Sequence, residues 1–84
     1  MNDCLITFRS VTPAQRGERV LRRAGVRCSL GRTPKWMEEL GCGYSLRISS
    51  GSAARAAAQL RAEGVPFRRV YLLRENGKAE ELDL

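Results

Sequence analysis

The sequence predicts a single α+β domain whose strands and helices follow the order βαββαβ. β-branched and aromatic runs alternate with two segments of helical periodicity. In addition, residues 21–27 (LRRAGVR) resemble residues 60–66 (LRAEGVP) at an offset of 39, and each is typical of a helix end, a glycine stop and a strand entry. Two such halves make up a ferredoxin-like fold, with a four-stranded antiparallel sheet and both helices on one face.

The first strand and the first helix have clear local signals. The segment Leu5–Phe8 has the β-branched and aromatic content of a strand. Thr12 and Pro13 predict the start of a helix, because threonine caps free N–H groups and proline is preorganised for the first helical position. Gly25 is expected to end this helix. Small or apolar residues recur on one helix face: Ala14, Gly17, Leu21 and Ala24.

The later elements are predicted in the same way. Residues 26–30 alternate apolar and polar side chains, which predicts a second strand with Cys28 facing inward. The other predicted elements are a third strand over 44–48, an alanine-rich helix over 53–63 capped by 50–52, and a fourth strand over 67–73. The sequence leaves open which phase of the first strand faces the helices, the one with Cys4, Ile6 and Phe8 or the one with Leu5 and Thr7.

The length and the charge distribution predict one basic domain, residues 1–74, followed by an acidic tail, residues 75–84. Eighty-four residues suffice for one small core. Residues 1–74 carry 14 of the 15 Lys and Arg residues but only five of the nine Asp and Glu residues. The tail is expected to add a short edge strand or to stay mobile. No apolar stretch is long enough for a membrane span and no leader pattern opens the sequence, so we expect a cytoplasmic protein.

The cysteine count and the absence of histidine limit the possible chemistry. Cys4, Cys28 and Cys42 are spaced neither as a disulfide framework nor as a zinc site, so we expect no metal and no cofactor. Without histidine the chain lacks Cys-His and Ser-His pairs and the usual general base near neutral pH. These features favour a carrier or binding protein over a turnover enzyme, with Cys4 and Cys28 assigned to packing.

Cys42 is the candidate functional thiol because it lies between Gly41 and Gly43, directly before the third predicted strand. Glycines on both sides remove the side chains that would shield the backbone and the sulfur. Lys35 and Arg47 are candidates to favour the thiolate, which is the nucleophilic form of cysteine. The alternative is that Cys42 is a small turn residue whose neighbouring glycines serve only the backbone geometry.

Two surfaces are candidates for binding a partner. Trp36 and Met37 form either a hydrophobic lid over the sheet edge or a partner-binding patch. The open sheet face is expected to be basic, and it would suit nucleic acid, another protein or a second copy of the chain. The residues expected on this face are Arg27, Ser29, Ser45 and Arg47.

Several of these residues together resemble a family of short bacterial selenium/sulfur carrier-like proteins, a domain of unknown function. The resemblance covers about residues 4–73. Lys35 stands where the family pattern has arginine, and Gly41 stands where it has serine. The matching features are the strand ending in Phe8, the polar turn Ser10–Thr12, the helix with Ala and Glu residues that follows it, Thr33-Pro34-Lys35, Cys42-Gly43 and Arg47.

The resemblance implies that Cys42 accepts sulfur or selenium, as a persulfide or selenide, and passes it on. Gly43, Lys35 and Arg47 would then support the thiolate, and Pro34 and Gly41 would frame the loop. The implied partners are a cysteine desulfurase as donor and a sulfur or selenium acceptor protein. The competing hypothesis is a non-catalytic binding module that uses the basic open sheet face.

Overall fold

One antiparallel sheet forms the framework of the computed structural model, which describes residues 2–33, 43–75 and 77–84. Within these residues the sheet has five strands in the order β2-β3-β1-β4-β5. The prediction of four strands is therefore wrong by one, because a segment of the acidic tail pairs antiparallel with the fourth strand. The strands are β1 Asp3–Phe8, β2 Ser29–Arg32, β3 Tyr44–Ser49, β4 Val70–Leu73 and β5 Ala79–Leu82.

Among the described residues two helices connect the strands, α1 over Val11–Arg23 and α2 over Ala53–Ala62, the second preceded by a 3-10 turn over Ser50–Ser52. Up to β4 the elements follow the predicted order βαββαβ. In the part of the chain that the structure describes, neither helix has the length and hydropathy needed to cross a membrane.

Both helices end in the same way, which confirms the helix end and the glycine stop predicted from the repeated segment but not the strand entry. Gly25 has φ +78°, and the N–H of Val26 donates to the carbonyl of Leu21 at 2.8 Å. This is a Schellman motif, in which a left-handed glycine lets the chain turn back onto the last helical carbonyls. The second copy has Gly64 at φ +68° and a 2.9 Å bond from Val65 to Leu60.

β3 and α2 begin at the predicted residues 44 and 53, but other element starts were predicted less well. α1 begins after Ser10, two residues before the predicted cap Thr12, so Pro13 lies within the first turn, where N–H groups have no intrahelical acceptor. β2 begins at Ser29 and not at residue 26, because the N–H of Val26 completes the helix end. β4 begins at Val70, three residues after the predicted start.

The core lies between the helices and one face of the sheet. Cys4, Ile6 and Phe8 are fully buried in it, which settles the phase of β1. Both helices contribute to the same cluster, through Ala14, Leu21, Ala53, Ala56 and Leu60. The opposite phase of β1, with Leu5 and Thr7, therefore points to the open face of the sheet, where both residues are nonetheless buried.

Candidate functional site

Most of the predicted site lies outside the described residues. This applies to Cys42 and to its predicted neighbours Pro34, Lys35, Trp36, Met37 and Gly41. The described ends of this segment are Thr33 and Gly43, both buried. The N–H of Thr33 donates to the carbonyl of Gly43 at 3.0 Å, one residue beyond the paired ends of β2 and β3. The candidate segment thus starts and ends at two directly hydrogen-bonded residues.

The hairpin end that carries Thr33 and Gly43 has further anchoring contacts. The Arg32 guanidinium lies over the Tyr44 ring, 5.8 Å from its centroid. A cation above an aromatic face is attracted by the ring quadrupole. The Oγ1 atom of Thr33 is buried and has no hydrogen-bond partner among the described residues. The sequence pointed to Thr33 only through the family resemblance, and nothing in the sequence shows that its hydroxyl is buried.

Arg47 lies on the open sheet face and pairs with a residue that the sequence did not suggest. Its Nε atom is 2.7 Å from Oδ2 of Asp3. Along β3 it is three residues from Tyr44, about 10 Å at the usual strand rise. Arg47 therefore forms an ion pair with Asp3, and it lies four residues along the chain from Gly43. Only the register of β1 against β3 reveals this pair.

Cys4 is fully buried within the core. Burial raises the pKa of its thiol, and the nearby negative charge of Asp3 raises it further. A buried thiol with a raised pKa is protonated at neutral pH and is a poor nucleophile. The structure thus agrees with the assignment of Cys4 to packing.

Cys28 is half-buried and packs against the core. Its Sγ atom is 3.9 Å from the backbone carbonyl oxygen of Glu18. Burial raises the pKa of the Cys28 thiol, a hydrogen bond with Arg22 lowers it, and the charge of Glu18 raises it, so that the net direction is upward. Cys28 therefore also favours the neutral thiol, as its assignment to packing predicted.

The strands of the open face are close to neutral and not basic as predicted. Arg47 pairs with Asp3, and Nη1 of Arg69 lies 3.7 Å from Oε1 of Glu81. Exposed pairs of this kind contribute little stability, yet they cancel the charge that would attract a phosphate backbone. The predicted residues Ser29, Ser45 and Arg47 do lie in register on this face. Basic residues are instead exposed on α1, at Arg16, Arg19 and Arg23.

Comparison with known proteins identifies the family. Neither the curated proteins nor the solved structures gave a significant match to this chain. One family model matches residues 3–72, which run from β1 into β4 and leave out β5. The match covers well over half of the chain. The chain therefore belongs to the family described as "Putative Se/S carrier protein-like".

Proposed function

We propose that this protein carries sulfur or selenium on the thiol of Cys42 and relays it between partner proteins in the cytoplasm. Membership of the Se/S carrier-like family supports the class of function. A relay needs one reactive thiol and a surface for partners, and it needs no general base. The absence of histidine from the sequence is therefore compatible with this role.

The observation that carries the proposal is the state of the other two thiols. Cys4 is fully buried, Cys28 is half-buried, and the pKa of each is raised chiefly by burial. Nucleophilic attack requires the thiolate, so both side chains are poorly suited to accept sulfur. The sequence contains three cysteines, and Cys42 is the remaining one.

The transfer step balances without a redox partner. The Cys42 thiolate attacks the outer sulfur of a donor persulfide, forming a new S–S bond to that sulfur. The old S–S bond breaks, and the donor cysteine leaves as a thiolate. The proton of the outer sulfur stays with it, so Cys42 ends as a persulfide and the net charge is unchanged. Transfer to an acceptor thiolate repeats the exchange.

A cysteine desulfurase is the donor that this chemistry calls for, because the sulfur must arrive as a persulfide. The exposed arginines of α1, at positions 16, 19 and 23, give an acidic partner surface a place to dock. Trp36 and Met37 are proposed to add an apolar contact. The same cargo site would accept selenium in place of the outer sulfur.

Limiting iodoacetamide, applied across a range of pH, tests whether Cys42 is the reactive thiol. Mass spectrometry then locates the modified cysteine in the native, full-length protein. We expect Cys42 to be alkylated first, with an apparent pKa below the unperturbed value of about 8.5. Cys28 should react later and only at higher pH because its pKa is raised, and Cys4 should react only after unfolding. Preferential labelling of Cys28 or Cys4 would contradict the proposal.

Sulfur loading tests the carrier step itself. The protein is incubated with a cysteine desulfurase and cysteine, and one added sulfur is located by mass spectrometry of the peptides. Cys42→Ser should abolish the added sulfur, whereas the matched variant Cys28→Ser should retain it. Circular dichroism checks that both variants fold. Equal loading of the wild-type protein and Cys42→Ser would overturn the assignment.

A further inference from the structure

An open cleft of about 640 Å³ lies where the chain leaves α1 and enters β2. Its wall includes three arginines, Arg22, Arg27 and Arg47, and one carboxylate, Asp3. A second carboxylate, Glu18, pairs with Arg22 from outside the lining, so three positive and two negative charges leave a net charge of +1. We infer that this cleft is a binding site for a phosphate-type oxyanion, either free phosphate or the phosphate group of a small organic molecule. The inference does not depend on the proposed carrier role.

Two of the arginines each form an exposed ion pair with one carboxylate. Arg22 lies 3.3 Å from Oε2 of Glu18, one helical turn before it, and Arg47 lies 2.7 Å from Oδ2 of Asp3. Each guanidinium has five N–H donors, so one carboxylate leaves donors available for a second anion. Pairing also reduces the freedom that each side chain would lose when a ligand binds.

Arg27 is the member of the cluster without an ionic partner among the described residues, and it is exposed. It follows Gly25 and Val26, whose N–H groups are already used in the helix end. An incoming oxyanion would therefore be recognised by side chains and not by a backbone nest. Arginine suits that role because its planar fork matches phosphate oxygens in a bidentate manner.

The rest of the cleft has the size and polarity for a small organic phosphate. Val26 and Ile48 are 3% exposed each and give the cleft an apolar floor. Ser29 and Ser49 are among its polar lining residues. Small-molecule sites commonly occupy about 300–1,000 Å³ and combine an apolar lining with a few polar groups.

The cleft lies at one end of the paired strands β2 and β3. Thr33 and Gly43, the described residues on either side of the segment that contains Cys42, lie at the other end. Ser29, in the cleft, is paired with Arg47, whereas Thr33 is bonded to Gly43. Thr33 follows Ser29 by four steps along the chain, about 13 Å at the usual strand rise. An experiment that finds no anion bound in the cleft can therefore be distinguished from one that finds no sulfur carried on Cys42.

Titration of the isotope-labelled, full-length protein with three probes, followed by NMR, tests the inference. The probes are adenosine monophosphate, inorganic phosphate and adenosine. We expect the two phosphates, but not adenosine, to shift the amides around Arg27 and Ser29 in a saturable way. Tighter binding of the nucleotide would identify an organic phosphate, and equal binding would identify free phosphate. Binding of adenosine as strong as that of the nucleotide, or no saturable shift from any probe, would overturn the site.

A matched pair of charge variants separates a site from general attraction. Arg27→Gln removes the unpaired guanidinium in the cleft, and Arg16→Gln removes an exposed charge of α1 outside the cleft lining. We expect Arg27→Gln to weaken phosphate binding about tenfold, as for loss of a charge-assisted hydrogen bond, and Arg16→Gln to change it by less than about twofold. Equal weakening in both variants would show long-range attraction only.

Cys28 provides an independent readout because it lines the same cleft. A bound oxyanion next to Arg22 should slow alkylation of Cys28 in the wild-type protein. The rate at Cys42, measured in the same sample, serves as the internal reference. Slowing at Cys28 alone supports the site, and equal slowing at both cysteines, or none, would contradict it.

Discussion

At the scale of single residues, Gly17 marks the closest approach of α1 to the sheet. A Cβ atom there would lie 3.0 Å from Cζ of Phe8 and 3.2 Å from Cδ1 of Leu46. Both neighbours are fully buried, so they have little room to move. We expect Gly17→Ala to lower the free energy of unfolding by about 1 kcal/mol, because overpacking costs about 1–3 kcal/mol and the gain in helix propensity returns at most about 1 kcal/mol. Urea denaturation followed by circular dichroism measures the change.

Gly51→Ala is the control for that substitution. Position 51 lies in the 3-10 turn, its φ is not positive, and an added Cβ would meet nothing within 4 Å. Its stability should stay within about 0.5 kcal/mol of the wild type, as for other surface substitutions. If Gly17→Ala were as stable as Gly51→Ala, the close packing of α1 on Phe8 would be refuted.

At the scale of elements, the glycine that ends each helix contributes through its backbone conformation. Gly64 has φ +68°, and an added Cβ would have no atom within 4 Å, so a substitution there changes the backbone energy and little else. We expect Gly64→Ala to destabilise the protein by about 1 kcal/mol, the cost of placing an L-residue in the left-handed region. Thermal and urea denaturation provide the measurement.

Asparagine distinguishes backbone strain from other causes at the same position. Asn tolerates the left-handed conformation better than alanine does, so Gly64→Asn should recover part of the loss. Equal losses for Ala and Asn would mean that the helix end does not depend on the conformation of residue 64.

Helix ends were easier to predict from the sequence than strand starts, for a physical reason. A glycine stop is a local signal, because only the residue in the left-handed region must be glycine. The start of β2 is harder to predict, because the N–H of Val26 could bond either to a neighbouring strand or to the end of α1. The alternation of residues 26–30 favours a strand, yet the N–H of Val26 donates to the carbonyl of Leu21 in α1. Similarly, Ser10 could not be preferred over Thr12 as the cap, since both residue types favour that position.

At the scale of the whole molecule, the sequence predicted the order of the elements, and it left open which phase of the first strand faces the helices. It could not predict the pairings that depend on register. Asp3 and Arg47 are 44 residues apart and meet only because β1 lies beside β3. Arg69 and Glu81 likewise form an ion pair only because β5 pairs with β4. Their charges cancel, so the open face is close to neutral, although the composition of the chain favoured a basic face. The cleft that contains Arg27 is likewise lined by residues from four elements, β1, α1, β2 and β3.

The acidic tail is part of the sheet and not only an appendage. β5 lies beside β4, and Leu82 packs against the core. Arg74 also pairs with Glu80, with Nε 2.9 Å from Oε2. The family match ends at residue 72, so β5 extends the sheet beyond the matched region. Its contribution can be measured by removal.

A chain that ends at Arg74 should fold, because β1 to β4 and both helices retain the core, but it should be less stable. We expect the free energy of unfolding to fall by roughly 2 kcal/mol. The truncated chain loses the partial burial of Leu82 and the hydrogen bonds between β4 and β5, and this loss is partly offset because residues 75–84 no longer have to be ordered. Full-length Glu80→Gln/Glu81→Gln is the matched control: it removes only exposed ion pairs, so it should lose less than about 1 kcal/mol. The truncated chain also exposes β4 as an edge and should self-associate in sedimentation velocity, which the control should not. A truncated chain that is monomeric and as stable as the full-length protein would show that β5 contributes nothing to the fold.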